Sequence, residues 1–550
     1  MYVFARLAVP FLAGVFGVLC CLEAAAQPPS PPLPEPSIPK PAGVVSAAVE
    51  ARRSREVELQ DEVRELKAMV RDLSSRVEQL SAERATTMPP VPPAGGASVP
   101  NIPALPGTGP GGGTLGPADA SSAGGGSAAA RGPLDPRRTT RFNMPGVSPN
   151  LPTNGVFGPG FQLQTNDDEF QFQFHDLTQV DGRFYTQGQQ VPITSTFLIP
   201  RQWFIFTGRL TKPFEYYVSI AEGIDSLNIL DVFGNVNFDE RLQFKFGRYK
   251  TPFTYEFYGL PINGFTTPER SLFFNNFGLN RDIGLMAWGR MFDNRFDYAA
   301  GIFNGTRNGY VDSNDFKDFC GLINFRPFAT WTDHWLENFN IGGSTDVGLE
   351  NNTPVPQVFR TNVATTGNLA IGPEFLALNK NVNESGLRAF WSLHMAYYYR
   401  HLSLIGEWQS GFDSYAFVNQ TYRTRVPVES FYVTAGYFIT GETVSGRGVL
   451  KPLRNFDVRP GRRGLGALEL VARYNYLNIG RQVFTSGFAD PASWTNQLYT
   501  VDAGVNWYWT QYVKVYLGWQ HAGFGNEVLF APERFHSSSD QYWLRFQIYF

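Results

Sequence analysis

Residues 541–550 read QYWLRFQIYF. Tyr542, Leu544, Phe546, Ile548 and Phe550 occupy every second position, and Gln541, Trp543, Arg545, Gln547 and Tyr549 fall between them. Side chains of a β-strand point to opposite faces with period two, so this stretch predicts a strand with one apolar side and one polar side. A half-buried strand of a soluble sandwich fits that pattern. So does a strand with hydrocarbon outside and water inside.

The same alternation recurs upstream, between clusters of Gly, Asn, Asp and Pro. Leu468, Leu470, Ala472, Tyr474 and Tyr476 oppose Glu469, Arg473 and Asn475. Tyr499, Val501, Ala503, Val505, Trp507 and Trp509 oppose Thr500, Asp502 and Asn506. Val513, Val515, Leu517 and Trp519 oppose Lys514 and Gln520. Phe296, Tyr298, Ala300 and Ile302 oppose Arg295 and Asp297, and Leu242, Phe244 and Phe246 oppose Arg241, Gln243 and Lys245. Full charges in mid-strand with Trp or Tyr at the strand ends fit a wet lumen and aromatic girdles where lipid meets water. An Arg turned to lipid at mid-bilayer costs about 2–4 kcal/mol, which fixes the register. Between residue 160 and residue 550, at roughly 24 residues per strand with its connections, there is room for about 16 strands. The expected fold is all-β: an antiparallel transmembrane β-barrel of about 16 strands, a size that leaves an aqueous channel.

The N-terminal third is different in kind. Residues 1–26 combine Arg6, an apolar run from Leu7 to Leu22 and the small residues Ala24, Ala25 and Ala26, the pattern of a secretory signal peptide. Its removal takes Cys20 and Cys21 and leaves Cys320, so no internal disulfide is expected. Residues 27–49 are Pro-rich. In residues 50–85, Leu59, Val63, Leu66, Val70, Leu73, Val77 and Leu80 alternate spacings of 4 and 3, a heptad with Val at a and Leu at d. This predicts a short α-helical coiled coil that oligomerises, with Glu62 and Lys67 placed to pair between helices. Val at a with Leu at d favours two strands, against a trimer. Residues 86–159 are rich in Pro, Gly, Ala and Ser, too poor in apolar surface to offset chain entropy, and predict a disordered linker. A net charge of −3 gives no reason to expect nucleic acid as a partner.

Several segments of residues 160–550 together resemble the phosphate-selective porin O and P family of Gram-negative outer membranes. They are FKFGRYKTPFTYEFYG, TTPERSLFF, RDIGLMAWGR with FDYAAGIFNG, and then YFITGE, GALELVARYNYLNI, GVNWYW and WLRFQIYF. The resemblance implies a homotrimeric 16-stranded porin whose in-folded loops narrow the channel. It also implies that the final aromatic, Phe550, is a signal read by the barrel-assembly machinery.

With Phe550 on the periplasmic side, 510–512 is a short periplasmic turn, and 521–540 and 480–497 are external loops. Two stretches are candidates for selectivity. The first is 251–282, between two strand-like segments and resembling the family's constricting loop. It carries Glu256, Glu269, Arg270, Arg281 and Asp282, with Arg248 and Lys250 at its mouth, and opposed charges at a constriction would orient and filter solutes. The plainer alternative is that TTPER is a loop clamp with an internal ion pair. The second is GETVSGRGVLKPLRNFDVRPGRRGLG, which carries Arg447, Lys451, Arg454, Arg459, Arg462 and Arg463 against Glu442 and Asp457. Folded into the lumen it would attract anions; left outside it is a long, solvated periplasmic turn.

No catalytic motif emerges, the six His lack metal-ligand spacing, and neither an enzyme nor a cofactor is expected. The reading is a passive outer-membrane porin for small hydrophilic solutes and ions, either general or preferring anions such as phosphate. Its partners are outer-membrane lipid and, through the coiled coil, either the peptidoglycan wall or the rest of the trimer. One rival is a structural anchor that tethers outer membrane to wall. A second is a secreted all-β binding protein.

Overall fold

The computed structural model describes residues 143–148, 151–157, 160–186, 190, 193–223, 226–312, 314–362 and 372–550. The expected signal peptide (1–26), Pro-rich segment (27–49) and coiled coil (50–85) lie outside the described residues.

Sixteen antiparallel strands close on themselves. In chain order they are β4 (Gln171–Tyr185), β5 (Thr196–Thr211), β6 (Phe214–Gly223), β7 (Ser226–Asp239), β8 (Leu242–Lys250), β9 (Arg281–Met291), β10 (Phe296–Phe303) and β11 (Asp318–Phe325). They continue with β12 (Asn338–Asn352), β15 (Val382–Tyr399), β16 (Leu402–Phe417), β17 (Thr424–Phe438), β18 (Ala467–Ile479), β19 (Gln497–Tyr508), β20 (Val513–Ala531) and β21 (Arg534–Tyr549). Each pairs with the next, and β21 pairs with β4 from Gln541↔Tyr185 to Tyr549↔Leu177, which closes the barrel. Closure leaves no free edge, the condition for a sheet to span hydrocarbon.

The faces resolve as the alternation requires. Along β21, Tyr542 (51%) and Leu544 (36%) are exposed, whereas Gln541, Arg545 and Gln547 are buried inside. The same holds for Leu470 against Glu469 and Arg473 on β18, and for Leu517 against Lys514 and Gln520 on β20. The aromatic rows therefore face outward and do not meet in a dry core. At the end that holds Phe550, exposed Phe214, Phe238, Phe292, Trp331, Trp335 and Tyr437 ring the rim.

Two boundaries differ from the sequence expectation. The linker was expected to run to 159, but β1 (Asn143–Ser148) and β2 (Leu151–Phe157) are strands, and β2 pairs with β3 (Phe161–Thr165). The cause is an exposed edge. β4 begins beyond the end of β21, so Gln171–Phe174 would present unpaired backbone, and β3 takes it up. The stretch 521–540 was expected as a loop but is a strand hairpin extending the barrel wall, because β20 runs to Ala531 and β21 starts at Arg534. The stretch 480–497 is a connection as expected, with one short helical turn, Gln482–Thr485. The connection between β12 and β15 carries a small hairpin, β13 (Val358–Arg360) with β14 (Glu374–Ala377).

Candidate functional site

Residues 251–280, between β8 and β9, cross the barrel interior. The segment opens with Thr254 at φ 62, an uncommon conformation for a β-branched residue, fixed by its N–H donating to Ser344 Oγ on β12 at 2.9 Å. A π-type turn follows, Tyr255–Gly259, whose first two N–H groups donate to the Glu407 carboxylate on β16 at 2.8 and 3.3 Å. The Tyr255 ring stacks on His394 of β15, with centroids 4.3 Å apart. The segment returns through helix α1 (Leu272–Phe277), capped by Ser271 Oγ, which accepts from Phe274 N at 3.3 Å.

Side chains from the opposite wall pin the middle. Arg473 of β18 donates to Glu256 Oε1 at 2.5 Å and to the Glu269 carbonyl at 3.0 Å. Asn506 of β19 donates to the Thr266 carbonyl at 2.9 Å, and Lys514 of β20 to the Phe265 carbonyl at 2.9 Å. Glu269 collects three arginines: Arg201 of β5 at 2.5 Å, Arg545 of β21 at 2.8 Å and Arg183 of β4 at 3.7 Å. Burial alone would raise the Glu269 carboxyl, but the surrounding guanidiniums hold it below its ordinary value, so it is ionised at neutral pH. TTPER is thus not an internal ion pair: its glutamate reaches the wall and its arginine does not follow.

Arg270 instead lies among the rings of Phe265, Phe257 and Phe274, at 4.7, 4.9 and 5.2 Å. Its Nε and Nη2 have no hydrogen-bond partner among the described residues. Lys250 donates to the Phe257 carbonyl at 3.0 Å. Arg281 pairs with Asp231 at 2.9 Å. Two other candidates stand apart. Arg248 binds the Gly309 carbonyl at 3.2 Å and the Leu230 carbonyl, and Asp282 accepts from Gly305 N at 2.7 Å, so both brace the neighbouring connection 304–317.

The basic stretch 439–466 joins β17 to β18 at the Phe550 end, and one of its six cations enters the lumen. Arg447 pairs with Glu469 at 2.5 Å and donates to the Gly264 carbonyl at 2.8 Å, tying this connection to the inserted loop. Lys451, Arg454, Arg459, Arg462 and Arg463 are exposed outside.

Several lumenal groups carried no role in the sequence reading. Arg473, Asn506, Lys514, Arg545 and Glu469 sat on the polar faces of predicted strands, and that was their one signal. A second cluster had none: Arg388 of β15 meets Asp318 and Glu350 (3.0 Å), with Asp346 and Glu384 at 3.7 Å. With Asp413 and Glu407 also buried on β16, the sector from β11 to β16 is acidic, while β18 round to β9 supplies most of the arginines and lysines. Beside the inserted loop, a cavity lined by Glu256, Phe265, Thr267, Tyr432, Arg447 and Arg473 holds roughly one water molecule.

The profile of one protein family, phosphate-selective porin O and P, matches residues 172–522. No curated protein sequence matches the chain. Among solved structures, the chain is similar to OmpT of Vibrio cholerae in its trimer form, at 10% identity and TM-score 0.41, over 70% of this chain and 100% of that one. It is similar to the anion-selective porin of Comamonas acidovorans at 11% identity and TM-score 0.40, over 69% and 99% of the two chains. It is also similar to OprB of Pseudomonas putida at 12% identity and TM-score 0.42, over 70% and 95%.

Proposed function

The chain belongs to the phosphate-selective porin O and P family, and from that premise we propose a passive channel for small hydrophilic solutes with a preference for anions. The observation that carries the preference is how the cations around the inserted loop are held. Lys250 and Lys514 donate to backbone carbonyls, and Arg270 rests on aromatic rings. A carboxylate cancels the charge it binds; a carbonyl or a ring attracts a cation without cancelling it. These three groups outnumber the loop-touching Glu407 carboxylate, which is likewise held by uncharged donors, and leave a net positive field on the loop that raises the local concentration of anions. A homotrimer in the outer membrane, assembled by way of the Phe550 signal, is part of the same proposal.

Planar-bilayer recording tests it. Purified protein should give stepwise currents, with a reversal potential in a potassium chloride gradient of the sign that marks chloride as the more permeant ion. Phosphate added to chloride solution should then reduce the current if phosphate occupies the same path. A cation-sided reversal potential would refute the preference.

The structural anchor remains the second reading, favoured by one observation. At the level of the inserted loop Arg545, Arg473, Glu256 and Lys514 are all buried, so the interior there is closely filled. An anchor of this kind would insert into bilayers and carry no current.

A further inference from the structure

The basic connection 439–466 has a structure that the channel reading does not use. Asp457 and Gly464 exchange backbone hydrogen bonds of 3.1 and 3.0 Å, and Arg462 N donates to the Arg459 carbonyl at 3.1 Å. This closes a small hairpin whose tip is Arg459, Pro460, Gly461, Arg462 and Arg463. Gly461 takes φ +79 at the turn, a conformation that suits a residue without Cβ.

Its base is fixed to the lipid-facing rim. The Phe456 ring lies 4.8 Å from Trp507 and 5.3 Å from Trp509, and Trp509 lies 5.8 Å from Phe546 of the outward row of β21. Phe456 N donates to the Trp509 carbonyl at 2.7 Å, and Trp507 Nε1 donates to the Leu465 carbonyl at 2.6 Å. In the same segment as Phe456, Leu453, Val458 and Leu465 are 70%, 72% and 55% exposed. Five exposed cations surround them, opposed by the Asp457 carboxylate, which Arg459 binds at 2.6 Å.

From this we infer that residues 453–465 form an interfacial anchor that binds the headgroups of anionic phospholipid at the Phe550 end of the barrel. Apolar side chains at the level of an aromatic girdle suit the acyl boundary, and guanidiniums just beyond them suit phosphate. A soluble anion would account for the arginines but not for the exposed Leu453, Val458 and Leu465. The inference rests on the barrel lying in a bilayer.

The test uses the folded full chain in mild detergent and native mass spectrometry, titrating dioleoyl phosphatidylglycerol against dioleoyl phosphatidylcholine. Each basic residue at such a surface contributes about fivefold in affinity, so R462Q/R463Q should lose about 25-fold for phosphatidylglycerol and nothing for phosphatidylcholine. K380Q, which removes an exposed lysine at the opposite end, should leave both unchanged. Equal phosphatidylglycerol binding by R462Q/R463Q and the unsubstituted chain would overturn the inference. So would displacement of the lipid by excess inorganic phosphate. The same preparations are recorded in planar bilayers: an unsubstituted chain that shows no preference for phosphatidylglycerol yet carries normal current defeats the interfacial lipid site alone, whereas lipid preference without current defeats the porin reading alone.

Discussion

Replacing Glu269 with Gln isolates what the inserted loop does. Glu269 Oε1 accepts from Arg201 Nη1 at 2.9 Å and from Arg545 Nη2 at 2.8 Å, and Oε2 accepts from Arg201 Nη2 at 2.5 Å. An amide cannot answer three guanidinium donors with two acceptor oxygens, and it carries no charge. Arg545 keeps Asp181, at 2.6 Å, so Arg201 is the residue left stranded, with the Gln179 side chain at 2.9 Å as its remaining partner. Removing one partner of a buried ion pair costs about 3–5 kcal/mol, and the surviving Asp181 contacts place E269Q near the lower bound. The lumen also gains one net positive charge where the loop meets the wall. E269Q should therefore unfold at a lower temperature, followed by circular dichroism, and its reversal potential in a salt gradient should move toward the anion limit. In E269Q/R201Q the stranded cation is gone, and the coupling should recover about 0.5–3 kcal/mol. Wild-type melting together with wild-type reversal potential in E269Q would show that this carboxylate neither pins the loop nor shapes the field.

Three further outcomes follow from the same geometry. K250Q/K514Q removes two cations held by carbonyls, so the reversal potential should shift toward cations, while loss of stability should be small because no carboxylate is orphaned. Because the Glu269 carboxyl is held below its ordinary value, its stabilisation is complete above the unfolded value of about 4.3 and is lost as pH falls through the lower folded value. Current noise from loop motion should accordingly rise below about pH 4. L544R places an arginine on the outward face of β21 and should cost about 2–4 kcal/mol of folding into bilayers, measured as folded yield in vesicles; no loss would put the register in question.

The barrel was legible because its signal is repeated. Each strand offers only a weak period-two pattern, but a slip of one residue in any of them would turn Arg545 or Glu469 into lipid, and the same choice of face recurs from β8 to β21. The inserted loop was legible as a segment, since 251–280 is too long and too rich in Phe and Pro for a turn. Its contacts were not. Glu269 meets Arg201, Arg183 and Arg545, residues separated from it by 68 to 276 positions, and nothing local marks such partners. Nor does local sequence distinguish Arg447, drawn inside by Glu469, from Arg462, which stays outside. The strands at 143–157 were missed for a further reason. Their Pro and Gly content argues against regular structure, and the edge of β4 that seats β3, on which they build, exists only once the barrel has closed.

The charge pattern of the interior also limits what a count of residues can say about selectivity. Arg473, Arg545 and Arg201 on the polar faces and Arg447 on the connection before β18 are prominent cations of the interior, yet each is matched by Glu256, Asp181, Glu269 or Glu469 within 2.6 Å and contributes little net field. Across the lumen, Arg388 is outnumbered by the carboxylates it touches, so that sector is negative although it contains an arginine. The sign seen by a permeating ion is set by the few groups whose partners are uncharged. Around the inserted loop they include the cations Lys250, Arg270 and Lys514 against the Glu407 carboxylate, which only N–H and O–H donors hold, and all four are on the loop or in contact with it. Displacing the loop would thus alter width and selectivity together, which is why a single carboxylate that pins it, Glu269, should move both in the same experiment.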